Sequence, residues 1–77
     1  MKFGEMISTR RKELRLTQQE LALKCGYANK SSINKIENGS HGIPGKEHML
    51  NLARVLDIPY KELVQVAMES IYFTEEK

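Results

Sequence analysis

One short polar stretch in the middle of the chain holds the side chains best suited to chemistry. Ile33 and Ile36 stand three residues apart within it, which predicts a helix with one narrow apolar stripe and with Gly39 as its stop signal. The rest of that helix presents hydrogen-bonding and cationic groups, chiefly Lys30, Ser31, Asn34, Lys35 and Asn38. A helix with so few large apolar residues adds little to a core, so we interpret its wide polar face as a recognition surface.

The remaining residues offer no catalytic or cofactor-binding constellation. The sequence has neither a Gly-rich phosphate loop nor a Cys-x-x-Cys motif, and no motif places Ser, His and Asp together. His41 and His48 lack a partner at zinc-ligand spacing. The single cysteine, Cys25, excludes an internal disulfide and is predicted to be a small core residue. We therefore expect no enzyme activity, no metal and no cofactor.

Charge is distributed unevenly along the 77 residues, although the net formal charge is only +2. Residues 1–46 carry nine Lys and Arg against four Glu, whereas residues 47–77 carry three against six acids. A basic front half indicates a polyanionic partner, and a solvated surface with chance asymmetry is the simpler alternative. No apolar run approaches the roughly 18 residues of a membrane span, and the N-terminus lacks a signal-peptide pattern. Because the single cysteine does not support a secreted disulfide scaffold, a reducing cytoplasm is the expected location.

Five short helices are predicted to position the polar face. They cover residues 2–14, 17–25, 29–38, 45–56 and 59–71, and no alternating strand pattern interrupts them. The apolar residues expected to face inward recur at helical spacing. They are Phe3, Ile7 and Leu14 in the first segment, Leu21, Ala22 and Cys25 in the second, Met49, Leu50, Leu52, Ala53 and Leu56 in the fourth, and Leu63, Val64, Val66 and Ala67 in the fifth. This pattern predicts one all-α domain over residues 1–77.

Local signals mark where the second and third segments begin and end. Thr17 and Glu20 have the spacing of a capping box, in which each side chain binds the other residue's amide. Gly26 follows at the position of a left-handed C-terminal cap. Asn29 or Ser31 can cap the third segment.

The second and third segments together resemble the helix-turn-helix of the phage repressor and Cro family. The matching runs are LTQQELA at residues 16–22, Gly26, and SINKIENG at residues 32–39, and the family's fourth helix is matched by Pro44, Leu50, Leu52, Ala53 and Leu56. The resemblance covers about residues 3–66. It implies a five-helix, lambda-repressor-like domain whose third helix lies in the major groove of double-stranded DNA.

The resemblance also assigns roles to particular residues. Base-reading positions are Asn29, Lys30, Ser31, Lys35 and, more weakly, Asn34; lysine suits guanine, and asparagine suits adenine. Gln18, Asn38, Ser40 and His41 match the phosphate-binding positions of the family. Outside that pattern, Arg10 and Lys46 are expected to add phosphate contacts. Arg11 and Glu37 match a pair that we interpret as structural.

The chain departs from the family pattern in the turn and in the fourth segment. Six residues separate Gly26 from Ile33, where the commonest form of the family has five. Assignments between residues 27 and 30 can therefore slip by one position. Lys46 stands where the family usually has an apolar residue, and Gly45 replaces the usual Ser or Thr cap.

An apolar surface continues to near the end of the chain, where residues 67–77 extend the fifth segment. We expect Val66, Ile71, Tyr72 and Phe73 to build a symmetric dimer interface, with folding of the tail onto its own domain as the alternative. A dimer would read a palindrome with half-sites about one helical turn, ~34 Å, apart.

The leading hypothesis is a sequence-specific transcriptional regulator that binds a palindromic operator in double-stranded DNA as a homodimer. Occupying a promoter would repress it, although an activator is equally compatible with these residues. A protein-interaction module or antitoxin-type component that retains the fold is the second hypothesis, and the DNA-binding half of a longer repressor is the third. The lysines of the polar face favour the first, because an interaction module would present apolar or acidic residues there. Neither a membrane nor a small-molecule ligand is expected as a partner.

Overall fold

Helices account for most of what the computed structural model describes, which is residues 2–40 and 42–75, with side chains as far as residue 70. They are α1 (Phe3–Glu13), α2 (Gln18–Lys24), α3 (Ser31–Asn38), α4 (Lys46–Leu56) and α5 (Tyr60–Glu75). These residues include no strand, and no helix formed by them is long and apolar enough to cross a membrane. The predicted all-α, five-helix fold is confirmed.

The ends of α2 and α3 follow from local chemistry. The Glu20 amide donates to Thr17 Oγ1 at 3.0 Å, and the Thr17 amide donates to Glu20 Oε1 at 2.8 Å. This is the predicted capping box, and it satisfies two amides that have no partner inside the helix. Gly26 and Gly39 end the two helices with φ angles of 88° and 83°, in the left-handed region that glycine adopts without strain.

All five helices contribute to one apolar core. Its buried members are Phe3, Ile7, Leu21, Ala22, Cys25, Ile33, Ile36, Met49, Leu52, Ala53, Leu56, Ile58, Leu63 and Ala67. The two isoleucines of α3 lie in this core, and the opposite face, with Ser31, Asn34, Lys35 and Asn38, is left at the surface, as the sequence predicts. Val64 and Val66 of α5 are only partly buried.

Two predicted core residues are instead exposed. Leu14 is 37% exposed and is the C-cap residue, one position beyond the end of α1 at Glu13. Leu50 is 44% exposed because the buried positions of α4 follow the register of Met49, and the next residue is rotated off that face. Helix α5 also continues to Glu75, beyond the predicted end near residue 71.

The close approach of α1 to α3 depends on a glycine. A Cβ atom at Gly4 would lie 2.6 Å from the carbonyl oxygens of both Ile36 and Glu37. Only a residue without a side chain allows this contact, which brings the start of α1 against the end of α3. At its N-terminus, α1 is also joined to α5, because the Phe3 amide donates to Ser70 Oγ at 2.9 Å.

Candidate nucleic-acid interface

The polar face of α3 rests on two buried side chains. Ile33 is fully buried and Ile36 is 2% exposed, so the helix is anchored along one stripe. The opposite face and the residues at its two ends are exposed: Asn29, Lys30, Ser31, Asn34, Lys35, Asn38 and Ser40. Lys30, Ser31, Asn34 and Lys35 line a shallow concavity of about 240 Å³ together with Gln18 of α2. The structure therefore brings four of the five base-reading candidates next to one phosphate-binding candidate.

A partly buried polar network holds α3 against α1 and α2. Arg11 Nε donates to Glu37 Oε2 at 2.7 Å and Arg11 Nη2 donates to Oε1 at 3.2 Å, with side chains only 11% and 9% exposed. Arg11 Nη1 also donates to the Leu16 carbonyl at 2.8 Å, and Gln18 Nε2 donates to Glu37 Oε1 at 3.1 Å. A bidentate pair of this kind has a defined geometry, so it sets the orientation of α3 as well as its position.

The side-chain amide of Gln18 has one N–H donor engaged within the protein and one available to an external ligand. One N–H of Nε2 is directed to Glu37. Because an amide nitrogen carries two donors, the second remains able to reach a phosphate oxygen. The same side chain can therefore connect the partly buried network with the surface concavity.

Two side-chain acceptors organise the start of α3. Asn29 Oδ1 accepts from the Ser31 amide at 2.9 Å, and Gln19 Oε1 accepts from the Lys30 amide at 3.0 Å. The Asn29 side chain thus satisfies the amide of Ser31, the first residue of α3, although Lys30, and neither Asn29 nor Ser31, occupies the N-cap position. The sequence interpretation missed the role of Gln19, because a contact between residues eleven positions apart leaves no local signal.

The end of α3 gathers further polar groups. Asn38 Oδ1 accepts from the Ser40 amide at 3.0 Å and from Ser40 Oγ at 2.6 Å. Asn38 Nδ2 donates to Asn34 Oδ1 at 3.4 Å. The candidates Asn34, Asn38 and Ser40 thus form one hydrogen-bonded row. His41, the next phosphate-binding candidate, lies outside the described residues.

Arg10 and Lys46 stand apart from this row. Arg10 Nε donates to the Leu56 carbonyl at 2.8 Å, and its other nitrogens lie 3.1 Å from Glu13 and 3.8 Å from Asp57. The guanidinium is thereby engaged at the C-terminal end of α4, where a cation complements the helix dipole. Lys46 is the first residue of α4 and is exposed. The N-cap residue before it is Gly45, which has no side chain to accept a hydrogen bond from the first amides of the helix.

The turn between α2 and α3 packs on α4 through an aromatic pair that the sequence interpretation did not find. The rings of Tyr27 and His48 stack with centroids 4.1 Å apart and an interplanar angle of 11°. The Tyr27 hydroxyl is buried with no hydrogen-bond partner within the described part of the chain. Burial raises the pKa of Tyr27 to about 12, and it raises the pKa of the Cys25 thiol to about 11. Both groups are therefore neutral at physiological pH, as expected for packing residues.

The dimer candidates are only partly described. Val66 is half-buried against the core, and Met68, two residues further along α5, is 49% exposed. The side chains of Ile71, Tyr72 and Phe73 lie outside the described residues. No group of three His, Cys, Asp or Glu side chains suited to a metal ion occurs in the described part of the chain.

An exposed polar helix, braced on a shorter helix through a tight turn, is the arrangement of a helix-turn-helix unit. The sequence matches the helix-turn-helix family over residues 7–63. The chain therefore belongs to this family, in its phage repressor and Cro type, whose members are DNA-binding transcriptional regulators.

Three similar proteins illustrate the relationship. The transcriptional repressor RghR of Bacillus subtilis is 38% identical over 65 residues, which are 84% of this chain and 47% of RghR. SinR in complex with DNA is 32% identical with a TM-score of 0.72, covering 80% of this chain and 97% of that one. The P22 c2 repressor bound to a synthetic operator is 28% identical with a TM-score of 0.75, covering 82% and 92%. The chain spans about half the length of the curated relatives it matches.

Proposed function

We propose that this chain binds a specific double-stranded DNA sequence and regulates transcription, with α3 in the major groove. The observation that carries the proposal is the fully polar, exposed face of α3, held by two buried isoleucines and by the Arg11–Glu37 pair. A face so rich in donors and acceptors and so firmly anchored suits the reading of base edges, which requires fixed directions.

The side chains divide into two groups by chemistry and position. Lys30, Ser31, Asn34 and Lys35 lie at the concavity, where α3 would meet the bases, and Asn29 stands exposed just before them. Gln18, Asn38, Ser40 and Lys46 are proposed phosphate ligands, with His41 added from the family pattern. Phosphate contacts would set the register on the duplex, while contacts to base edges would specify the sequence. We leave Arg10 out of the phosphate set because its guanidinium is engaged at the end of α4.

We further propose a homodimer that acts as a repressor on a palindromic operator. One helix of eight residues contacts only a few base pairs, so a second copy related by a two-fold axis would supply the missing specificity. Val66 and the apolar segment Ile71, Tyr72 and Phe73 are the proposed interface. A repressing role is supported by two similar proteins that are repressors: RghR, which is similar in sequence, and P22 c2, which is similar in structure.

Selection of binding sites from a random pool of double-stranded DNA, at near-physiological salt, tests the proposal. Enrichment of a palindrome with half-sites about one turn (~34 Å) apart would support both sequence-specific binding and the dimer. A single enriched half-site would support binding and contradict the dimer. No enrichment, with only salt-sensitive association or none, would overturn the proposal and favour a protein-interaction module with the same fold.

A further inference from the structure

Two adjacent glutamines hold the two ends of α3. Gln18 Nε2 donates to Glu37, one residue from the C-terminal end of that helix, at 3.1 Å. Gln19 Oε1 accepts from the amide of Lys30, immediately before its first residue, at 3.0 Å. Gln18 belongs to the family's pattern, whereas Gln19 has no role assigned by that resemblance. The Gln19 contact is therefore a separate feature of this chain.

The amide of Lys30 needs such an acceptor. Lys30 is the N-cap residue of α3, with φ −66° and ψ −16°, and its side chain does not cap the helix. The amides at the start of a helix have no partner within it, and Asn29 already serves the Ser31 amide. The side-chain oxygen of Gln19, on α2, is the acceptor for the Lys30 amide.

This contact falls at the place where the chain departs from its family. Six residues separate Gly26 from Ile33, and an added residue in this interval can shift the start of α3 relative to α2. The hydrogen bond from the Lys30 amide to Gln19 restrains the backbone of Lys30, and it therefore restrains the point from which the Lys30 side chain extends. Lys30 in turn lines the concavity with Gln18 and Lys35. The direction in which Lys30 approaches DNA is thus linked to Gln19.

We propose that Gln19 is a positioning residue for base selectivity, acting through the Lys30 backbone to set the register of the start of α3 on DNA. The proposal rests on the proposed function, in which α3 reads base edges. The Lys30 backbone offers an N–H donor, so the oxygen of the Gln19 amide must face it. The proposed role therefore requires a hydrogen-bond acceptor at position 19.

Two substitutions separate the acceptor from the size of the side chain. Q19M keeps a similar length and removes the amide acceptor, whereas Q19E keeps an acceptor and removes the amide donor. Q65M is the matched control, because Gln65 is an exposed glutamine on α5.

The first measurement needs no DNA. Amide hydrogen exchange of Lys30, followed by NMR in the free protein, should accelerate about fivefold in Q19M, the factor that one ordinary hydrogen bond supplies. Wild type, Q19E and Q65M should exchange at similar rates. Equal rates in wild type and Q19M would overturn the proposal, whatever the protein does with DNA.

The second measurement compares affinities for the selected site and for single-base variants of it. Q19M should lose about fivefold in preference at the base pair that depends on Lys30, with preferences at the Lys35-dependent pair unchanged. Q19E should retain both preferences, even if its added negative charge weakens binding to all sequences alike. In a K30A background, Q19M should have no further effect, because the two residues act through one contact.

The outcomes distinguish the proposal from the function on which it rests. Absence of any selected site in wild type would overturn both, even with the Lys30 exchange result intact. A selected site whose preferences are the same in wild type and Q19M would overturn only the role of Gln19. Loss of preference in Q19E equal to that in Q19M would also overturn it, because the amide donor would then be the active group.

Discussion

The helix-turn-helix unit and the α4–α5 side of the molecule are held by different kinds of contact. In the first, directional polar contacts from Arg11, Gln18 and Gln19 reach α3 at Glu37 and Lys30. In the second, α5 packs mainly through buried apolar side chains such as Leu63 and Ala67. Hydrogen bonds also reach this side, at Leu56, Ser70 and Asn51. Apolar burial is non-directional, whereas a hydrogen bond weakens steeply when its angle changes. The region that we propose to present side chains to DNA therefore has the contacts that control orientation.

Removing a core side chain from α5 should have the largest effect on stability and none on base preference. Leu63 is fully buried, so Leu63→Ala should lower the free energy of unfolding by about 3–4 kcal/mol. Urea denaturation followed by circular dichroism measures the loss, and Met68→Ala, at a half-exposed position on the same helix, is the control. If the folded fraction of Leu63→Ala has a changed base preference, apolar packing of α5 also controls the orientation of α3, and the proposed difference between the two regions is wrong.

Breaking the Arg11–Glu37 ion pair, which is nearly buried, should reduce both stability and specific binding. Arg11→Ala leaves the Glu37 carboxylate without its cation at a nearly buried position, with an expected cost of about 3 kcal/mol. Denaturation and binding to the selected site measure the two effects. The double variant with Glu37→Ala should be less destabilised than the sum of the single variants predicts. If the effects of the two single substitutions simply add, Arg11 and Glu37 are not energetically coupled, and the pair does not orient α3.

Removing an exposed lysine from α3 should affect binding alone. We expect Lys35→Ala to weaken binding to the selected site by about 1–3 kcal/mol and to relax preference at one base pair. Stability should stay within about 0.5 kcal/mol of wild type, because the side chain is exposed. Lys61→Ala, an exposed lysine on α5, is the control for loss of one positive charge. Equal effects of the two substitutions on specific affinity would contradict the assignment of α3 as the reading helix.

The smallest effect that we predict is the response of the start of α2 to acid. The hydrogen bonds from the Thr17 backbone and then its side chain lower the pKa of Glu20 below its ordinary value of 4.5. Because the folded-state pKa is the lower one, the capping interaction stabilises α2 above pH 4.5 and is lost as pH falls through the lowered pKa. NMR titration of the Thr17 and Glu20 amides follows this loss, and Glu20→Gln should abolish it. A Glu20 midpoint at or above 4.5 would contradict the prediction.

Sequence patterns anticipated α2 and α3 better than the parts around them. Capping at Thr17 and Glu20, and the glycine ends at residues 26 and 39, arise from groups within four positions of each other, so they can be identified without the fold. Leu14 and Leu50 were assigned to the core because both lie at or beside apolar spacing. Their exposure depended on where α1 ended and on the rotation of α4 against its neighbours, which no local pattern contains.

The candidate site divides in the same way. Its polar residues on α3 were evident from composition and spacing, and the Arg11–Glu37 contact was suggested by family resemblance. The contact of Gln19 with Lys30, the stacking of Tyr27 on His48 and the engagement of Arg10 at the end of α4 were not foreseen. Each joins residues far apart in the chain, whose meeting depends on how the helices pack.

The sequence by itself determined the helical class, the capped helix pair at the centre of the chain and the polar character of α3, because these depend on periodicity and on interactions within one helical turn. Only the tertiary structure decided which polar groups face outward together and which are used internally. Arg10 and Arg11 make the distinction clear, since they are neighbours of the same type in one helix. Successive residues on a helix point about 100° apart, so one arginine meets α4 and the other meets α3.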